Sequence, residues 1–269
     1  MIKYIKYKDI TEDNALRTAI ITGASAGLGK EYVLAAARKY RDIDEFWLIA
    51  RRADLLEEIK NSFPEDISVK ILPLDLNEKS AVYKIKELLE EHKPEVKLLI
   101  NNAGFGKLGN VWEIDGEIQR SMVDLNCGAL THISSLVIPY MTAGSGILNV
   151  CSIASFAPTP RMTAYGATKS YVMSFSRGLR EELKPKKINV LAVCPGPMST
   201  AFLTRADIKK GSSGPFDHLP YCDPKEIAVK SLDALRRGKA VYTNRFLYKF
   251  YRILGKYAPK SIMMKFTKC

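Results

Sequence analysis

Histidine is scarce in these 269 residues: His92, His132 and His218 lie far apart in unrelated surroundings. That argues against a serine–histidine triad and, with the five cysteines (Cys127, Cys151, Cys194, Cys222 and Cys269) equally scattered and no C-x-x-C pair among them, against a zinc site. No metal is expected. Dispersed cysteines in odd number fit reduced thiols in a cytoplasmic protein. No window reaches the roughly 18 uninterrupted apolar residues of a membrane span. The basic start, from Met1 to Lys8, lacks the apolar core and small-residue cleavage site of a signal peptide. The expected location is the cytoplasm, with peripheral membrane attachment left open. Acids are in deficit too: 29 Asp and Glu stand against 41 Lys and Arg, a net charge of +12. Such a surplus suits an anionic partner, whether nucleic acid, a membrane surface or a phosphorylated cofactor. The aromatic–basic motifs of nucleic-acid readers are missing, so no nucleic acid is expected.

What is present is the composition of one α/β domain, with 46% hydrophobic and 26% charged residues. Short β-rich runs at 18–22, 45–50, 69–74, 96–100, 146–151 and 188–193 alternate with helical patterns at 30–40, 54–63, 79–92, 115–141 and 224–237. This alternation predicts a right-handed, parallel, doubly wound sheet, in which ligands bind at the carboxyl ends of the strands.

The notable residues fall at those ends. The first strand runs into Gly23-Ala24-Ser25-Ala26-Gly27-Leu28-Gly29 and then a helix, whose first amide groups attract phosphate. Its G-x-x-x-G-x-G spacing differs from the common dinucleotide fingerprint, and a glycine turn alone is only a turn. The second strand closes with Arg51-Arg52. In dinucleotide folds an acid there binds the adenosine ribose, whereas arginine tolerates a 2′-phosphate; Asp42 and Asp44 lie before the strand and do not serve. The alternative is a solvated helix start, although positive charge at a helix N-terminus is unfavourable without an anion nearby. Asp75-Leu76 follows the third strand, and Asn101-Asn102-Ala103-Gly104 follows the fourth. Asn126 sits inside the 115–141 helical pattern, an unfavourable place by propensity. Ser152 ends the fifth strand. Tyr165 and Lys169, four apart, share a helix face, so the ammonium is expected to lower the phenol's pKa toward that of a working general acid. Pro195-Gly196-Pro197-Met198-Ser199-Thr200 follows the sixth strand. The connection 202–224, with Gly211-Ser212-Ser213-Gly214-Pro215, reads either as a lid or as plain disorder.

Together these segments resemble the short-chain dehydrogenase/reductase family in order and spacing, over roughly residues 17–233. The resemblance implies a Rossmann-type sheet of seven parallel strands flanked by helices, the seventh at 240–243, and a nicotinamide cofactor. It also implies a catalytic tetrad. Tyr165 would exchange a proton with a substrate oxygen that Ser152 polarises. Lys169 would bond the nicotinamide ribose and lower the tyrosine pKa, and Asn126 would hold a water leading from Lys169 to solvent. Gly23, Ser25, Gly27, Leu28 and Gly29 would carry the pyrophosphate and adenosine ribose, and Asp75 and Leu76 the adenine. Asn102, Ala103 and Gly104 would back the cofactor; Pro195, Gly196, Met198 and Thr200 would fix its carboxamide. Arg51 and Arg52 would favour NADP(H) over NAD(H). Cys151 replaces a serine frequent in the family, at a position the Ser152–Tyr165 spacing does not use.

The expected reaction is reversible reduction of a carbonyl to an alcohol on a small hydrophobic substrate, lipid-like or steroid-like. Ile153, Ala154, Phe156, Pro158, Met162, Met198, Phe202 and Leu203 are expected to line its pocket. A non-catalytic NADP-binding sensor or scaffold is the alternative, and it has no need of all four tetrad residues. The family commonly forms homodimers or homotetramers. The chain divides into a catalytic core, 17–235, and a basic amphipathic extension, 236–269, with ten basic residues and no acid. Within the extension Arg245, Lys249, Arg252 and Lys256 share a helix face and apolar residues spread over the other. Two readings stay open: a helix packed over the substrate site or a subunit interface, or one lying in an anionic membrane surface.

Overall fold

Short runs dominated by aliphatic and β-branched side chains form seven strands: β1 Arg17–Thr22, β2 Glu45–Ala50, β3 Ser68–Pro73, β4 Glu95–Asn101, β5 Gly146–Val150, β6 Asn189–Val193 and β7 Val241–Tyr242. In the computed structural model, which describes residues 15–208, 219–267 and 269, they make one parallel sheet in the order β3-β2-β1-β4-β5-β6-β7. The fold is the doubly wound α/β domain the alternation predicts. A parallel sheet is covered on both faces, so its central strands carry no polar side, and all six residues of β2 are buried.

The pleat decides what each strand residue packs against. Phe46 and Leu48 join Tyr32 and Val33 of α1 (Gly27–Lys39) and Ile227 and Leu232 of α8 (Pro224–Arg236) on one face. Trp47 and Ile49 join Ile85 and Leu89 of α3 (Lys79–His92) and Ile133 and Val137 of α5 (Leu130–Val137) on the other. Each such side chain, fully buried, contributes roughly 1.5–3 kcal/mol. The remaining helices are α2 (Ala53–Lys60), α4 (Gly116–Val123), α6 (Thr163–Leu183), α7 (Ala201–Arg205), α9 (Phe246–Tyr257) and α10 (Lys260–Thr267).

The segment expected to be one helix over 115–141 is interrupted. Between α4 and α5 lies a π-helical turn, Asp124–Ala129, and after α5 a 3₁₀ turn, Ile138–Tyr140, containing Pro139. The π turn holds Asn126, whose amide bonds to neighbouring backbone instead of pointing to solvent. Such turns gather at functional sites. The expected lid falls partly on residues 209–218, outside the described residues; its described start is α7, capped by Thr200 Oγ1 accepting from Phe202 N at 3.4 Å.

The extension drawn from residue 236 contributes β7 to the sheet, so it is tied into the core by strand pairing with β6. After β3 the chain crosses to the other side of β1 and resumes at β4. This reversal opens a crevice beyond the carboxyl ends of β1 and β4, the usual place for a ligand.

Candidate active site

Helix α6 starts at Thr163, which puts Tyr165 in its first turn and Lys169 one turn further on the same face. Lys169 Nζ donates to the Val150 carbonyl at 2.8 Å and lies 5.7 Å from the centre of the Tyr165 ring. Ser152 comes two residues after Val150; its Oγ accepts from Ala154 N at 3.1 Å, and the hydroxyl also bonds to the Tyr165 phenol. On its other flank the phenol ring meets Phe202, centroids 5.5 Å apart. Thus the end of β5 and the start of α6 bring three of the four tetrad residues into one wall.

Asn126 stands behind that wall, buried. Its Oδ1 accepts from Phe105 N at 3.0 Å, and its Nδ2 donates to Phe105 O at 2.9 Å and to Thr168 Oγ1 at 3.0 Å. The π turn thereby fastens the loop after β4 to α6, next to Lys169. A β-carbon on Gly104 would lie 2.8 Å from Asn126 Oδ1 and 3.5 Å from Lys169 Nζ, a measure of how closely these groups gather.

The electrostatics correct one expectation. Burial is the largest influence on both members of the pair: it pushes the Tyr165 phenol up and the Lys169 amine down, because each charged form loses its water. The bond from Ser152 opposes this on the tyrosine. A lysine proton held by the Val150 carbonyl does not overcome a buried phenol's desolvation.

A cavity of about 760 Å³ runs from the glycine turn to the C-terminal helices. All the expected cofactor residues line it: Gly23, Ser25, Gly27, Leu28, Gly29, Arg51, Arg52, Asp75, Leu76, Asn102, Ala103, Gly104, Tyr165, Lys169, Pro195, Gly196, Met198 and Thr200. At one end the first turn of α1 carries no acid, and its cap, Ala26, offers no side-chain bond, so the amides there suit a phosphate. Gly29 is obligatory in this turn, since a β-carbon would collide with Gly23 O and lie 2.6 Å from Asn102 Nδ2. Arg52 Nη2 donates to Ser25 Oγ at 3.2 Å, and Arg51 Nη1 stands 3.6 Å from Asp75 Oδ2. Beside Asp75, Asn77 also lines the cavity, and its Oδ1 is buried without a hydrogen-bond partner. Phosphate-ready amides and two guanidiniums together fit an anionic dinucleotide.

The other end is apolar. Ile153, Ala154, Met162, Met198, Phe202 and Leu203 line it as expected. Phe156 and Pro158 do not. The Phe156 ring turns away to meet Tyr251, centroids 5.7 Å apart, and Pro158 is exposed with its carbonyl accepting from Thr267 Oγ1 at 2.7 Å. Sequence reasoning missed what takes their place, namely Leu247, Tyr248, Tyr251 and Leu254 of α9, Met263 of α10, and Cys269. Cys269 is held by Arg161 Nη1, which donates to its carbonyl at 3.0 Å. The available signal was glycine placement: Gly196 lies against the Tyr248 ring and Gly255 against Phe156 O, two contacts no larger residue permits.

Residues 17–210 match the family model of the short chain dehydrogenases. Sulfoacetaldehyde reductase 2 of Chromohalobacter salexigens is 32% identical over 188 residues, 68% of this chain and 73% of that protein. Among solved structures, a short-chain dehydrogenase from Sphingobium yanoikuyae in complex with NADPH is 29% identical, with a TM-score of 0.77 over 92% of this chain and 95% of that one. A bulky-bulky ketone specific alcohol dehydrogenase from Comamonas testosteroni, also 29% identical, superimposes with a TM-score of 0.72 over 92% and 94%.

Proposed function

Because this chain belongs to the short-chain dehydrogenase family, oxidoreductases that work with a nicotinamide cofactor, we propose that it is an NADP(H)-dependent reductase of ketones or aldehydes on small hydrophobic molecules. The observation behind this is a single cavity whose walls change from polar and cationic at Ser25, Arg51 and Arg52 to apolar at Met162, Phe202, Tyr248 and Leu254, with Tyr165 among its lining. A polar substrate such as a sugar would leave its hydroxyls unpaired against those side chains.

NADP(H), when bound, supplies or takes up the hydride at the substrate carbon. The amides of the Gly23–Gly29 turn would hold its pyrophosphate, Arg51 and Arg52 its 2′-phosphate, and Asp75 and Leu76 its adenine. Ser152 Oγ donates to the substrate carbonyl oxygen, and Tyr165 Oη delivers the proton to that oxygen; in the oxidation direction Tyr165 accepts it back. Lys169, whose Nζ donates to the Val150 carbonyl, would bond the nicotinamide ribose. Asn126 keeps the loop after β4 and α6 in register, and it would hold the water through which Lys169 reaches solvent. Burial of Tyr165 disfavours the phenolate and so supports the protonated form that donates in the reduction direction. Assembly into a homodimer or homotetramer and action in the cytoplasm complete the proposal.

The test is oxidation of NADPH and of NADH, followed by absorbance, across a panel including long-chain 3-oxo compounds, oxosteroids, bulky ketones, sulfoacetaldehyde and keto sugars. Preference for NADPH with an apolar carbonyl is expected. Turnover confined to polar carbonyls such as sulfoacetaldehyde or a keto sugar overturns the substrate class, and binding of NADPH without turnover of any member favours the sensor.

A further inference from the structure

Helix α9 has three faces. Tyr248 and Gly255 are buried against the protein, with Tyr251 beside them. Lys249, Arg252 and Lys256 form an exposed basic row. Between these lies an apolar stripe, Phe246, Phe250, Ile253 and Tyr257, at helical spacing and facing outward with 83%, 48%, 54% and 74% of each residue exposed. Four large apolar side chains in one line are not the scattered exposure of an ordinary surface. Ile262 and Met264 of α10 extend the exposed apolar surface. Arg245, expected on the basic face, instead precedes the helix and donates from Nη2 to Tyr221 O at 2.6 Å.

We propose that this outer face of α9 docks on an anionic lipid bilayer, with Phe246, Phe250, Ile253 and Tyr257 among the acyl chains and Lys249, Arg252 and Lys256 on the headgroup phosphates. The charge argues for this occupant: residues 236–269 carry ten basic side chains and no acid. A second copy of the same face would set that charge against itself. The geometry fits an interfacial helix, apolar on one side with its basic row alongside, and among the described residues no helix is long and apolar enough to cross a membrane. Leu247 and Leu254 lie between the outer stripe and the buried face, and both line the cavity. The lipid-facing surface therefore continues into the apolar end of the active site. A substrate dissolved in the bilayer reaches Tyr165 along α9 without passing through water.

The experiment is co-sedimentation of the full chain with phosphatidylglycerol-containing vesicles and with phosphatidylcholine vesicles, at low and high salt, alongside analytical ultracentrifugation without lipid. It reads no activity, so its failure and that of the carbonyl-reductase proposal are separable. Binding to anionic vesicles at low salt, lost in high salt, is expected. Phe250→Ser with Ile253→Ser should lower partitioning about tenfold or more, and Lys249→Glu with Arg252→Glu and Lys256→Glu by at least about fivefold per residue. All five residues are exposed, and circular dichroism verifies the fold; Phe246→Ser with Tyr257→Ser serves should the first pair misfold. A full chain left in the supernatant with anionic vesicles at low salt overturns the proposal. Vesicle binding unchanged by folded variants overturns it as well. An oligomer that the serine variants dissociate, with no vesicle binding, assigns the stripe to a second copy of the chain instead.

Discussion

The Tyr248 ring lies directly on the α-carbon of Gly196: a β-carbon there would come 2.5 Å from Tyr248 Cζ. The ring is held in place from its far end, where Tyr248 Oη donates to Pro220 O at 2.7 Å. One contact thus joins the loop after β6, which borders the cofactor end of the cavity, to the helix that covers the substrate end. Gly196→Ala should lift α9 or distort the loop, at a cost of about 1–3 kcal/mol for overpacking. Thermal unfolding should show a midpoint lower by several degrees. In a double-mutant cycle Tyr248→Leu should restore part of the loss, because it removes the ring that collides. Strict additivity of the two changes would mean that the contact does not bear on stability.

Tyr165→Phe keeps the ring against Phe202 and removes the proton. Reduction should fall by about 10²–10⁴-fold while cofactor binding persists. A variant retaining more than about a tenth of the wild-type rate rules out Tyr165 as the acid. Lys169→Met should reduce both turnover and cofactor affinity. Unchanged affinity, read by fluorescence titration with NADPH, would remove the ribose from the list of lysine partners.

The choice of cofactor is predicted to rest on the end of β2. A charge-assisted bond to a phosphate contributes roughly 1.5–3 kcal/mol. Arg51→Asp should therefore lower the ratio of kcat/KM for NADPH to that for NADH by at least about tenfold. It also leaves Asp75 without its partner at 3.6 Å, adding a second negative charge where the phosphate would sit. A wild type that uses both cofactors equally would contradict this before any variant is made.

Much of this architecture is legible in the sequence because local patterns carry it. Six strands announce themselves as apolar runs bounded by turns, and the four-residue spacing of Tyr165 and Lys169 needs only a helix. Asn126 shows the limit: it sits in a π turn and its side chain bonds to Phe105 and Thr168, far away in sequence. Helix α9 shows another. Its periodicity reveals amphipathicity, but Tyr248, Tyr251 and Leu254 become pocket residues only because Gly196 and Gly255 admit the helix so closely. Phe156 departs from its expected place at the same contact, its ring meeting Tyr251 and not the cavity.

The tyrosine's protonation is where tertiary structure reverses a sequence rule, and it can be measured without turnover. Proximity of an ammonium predicts a phenol below its ordinary value near 10; the structure predicts one above it, because burial disfavours phenolate and Lys169 is itself pushed toward its neutral form. As pH rises, a phenol with a raised pKa stays protonated after exposed tyrosines have ionised. Near-ultraviolet titration of the cofactor-free wild type minus Tyr165→Phe isolates this residue. The difference should show no phenolate through about pH 9, and growth only beyond about pH 10. Phenolate already present near neutrality would mean that Lys169 wins over desolvation, and that the base for alcohol oxidation is ready before cofactor arrives. In Lys169→Met the remaining positive charge is gone while the burial stays, so the onset should move no lower than in the wild type.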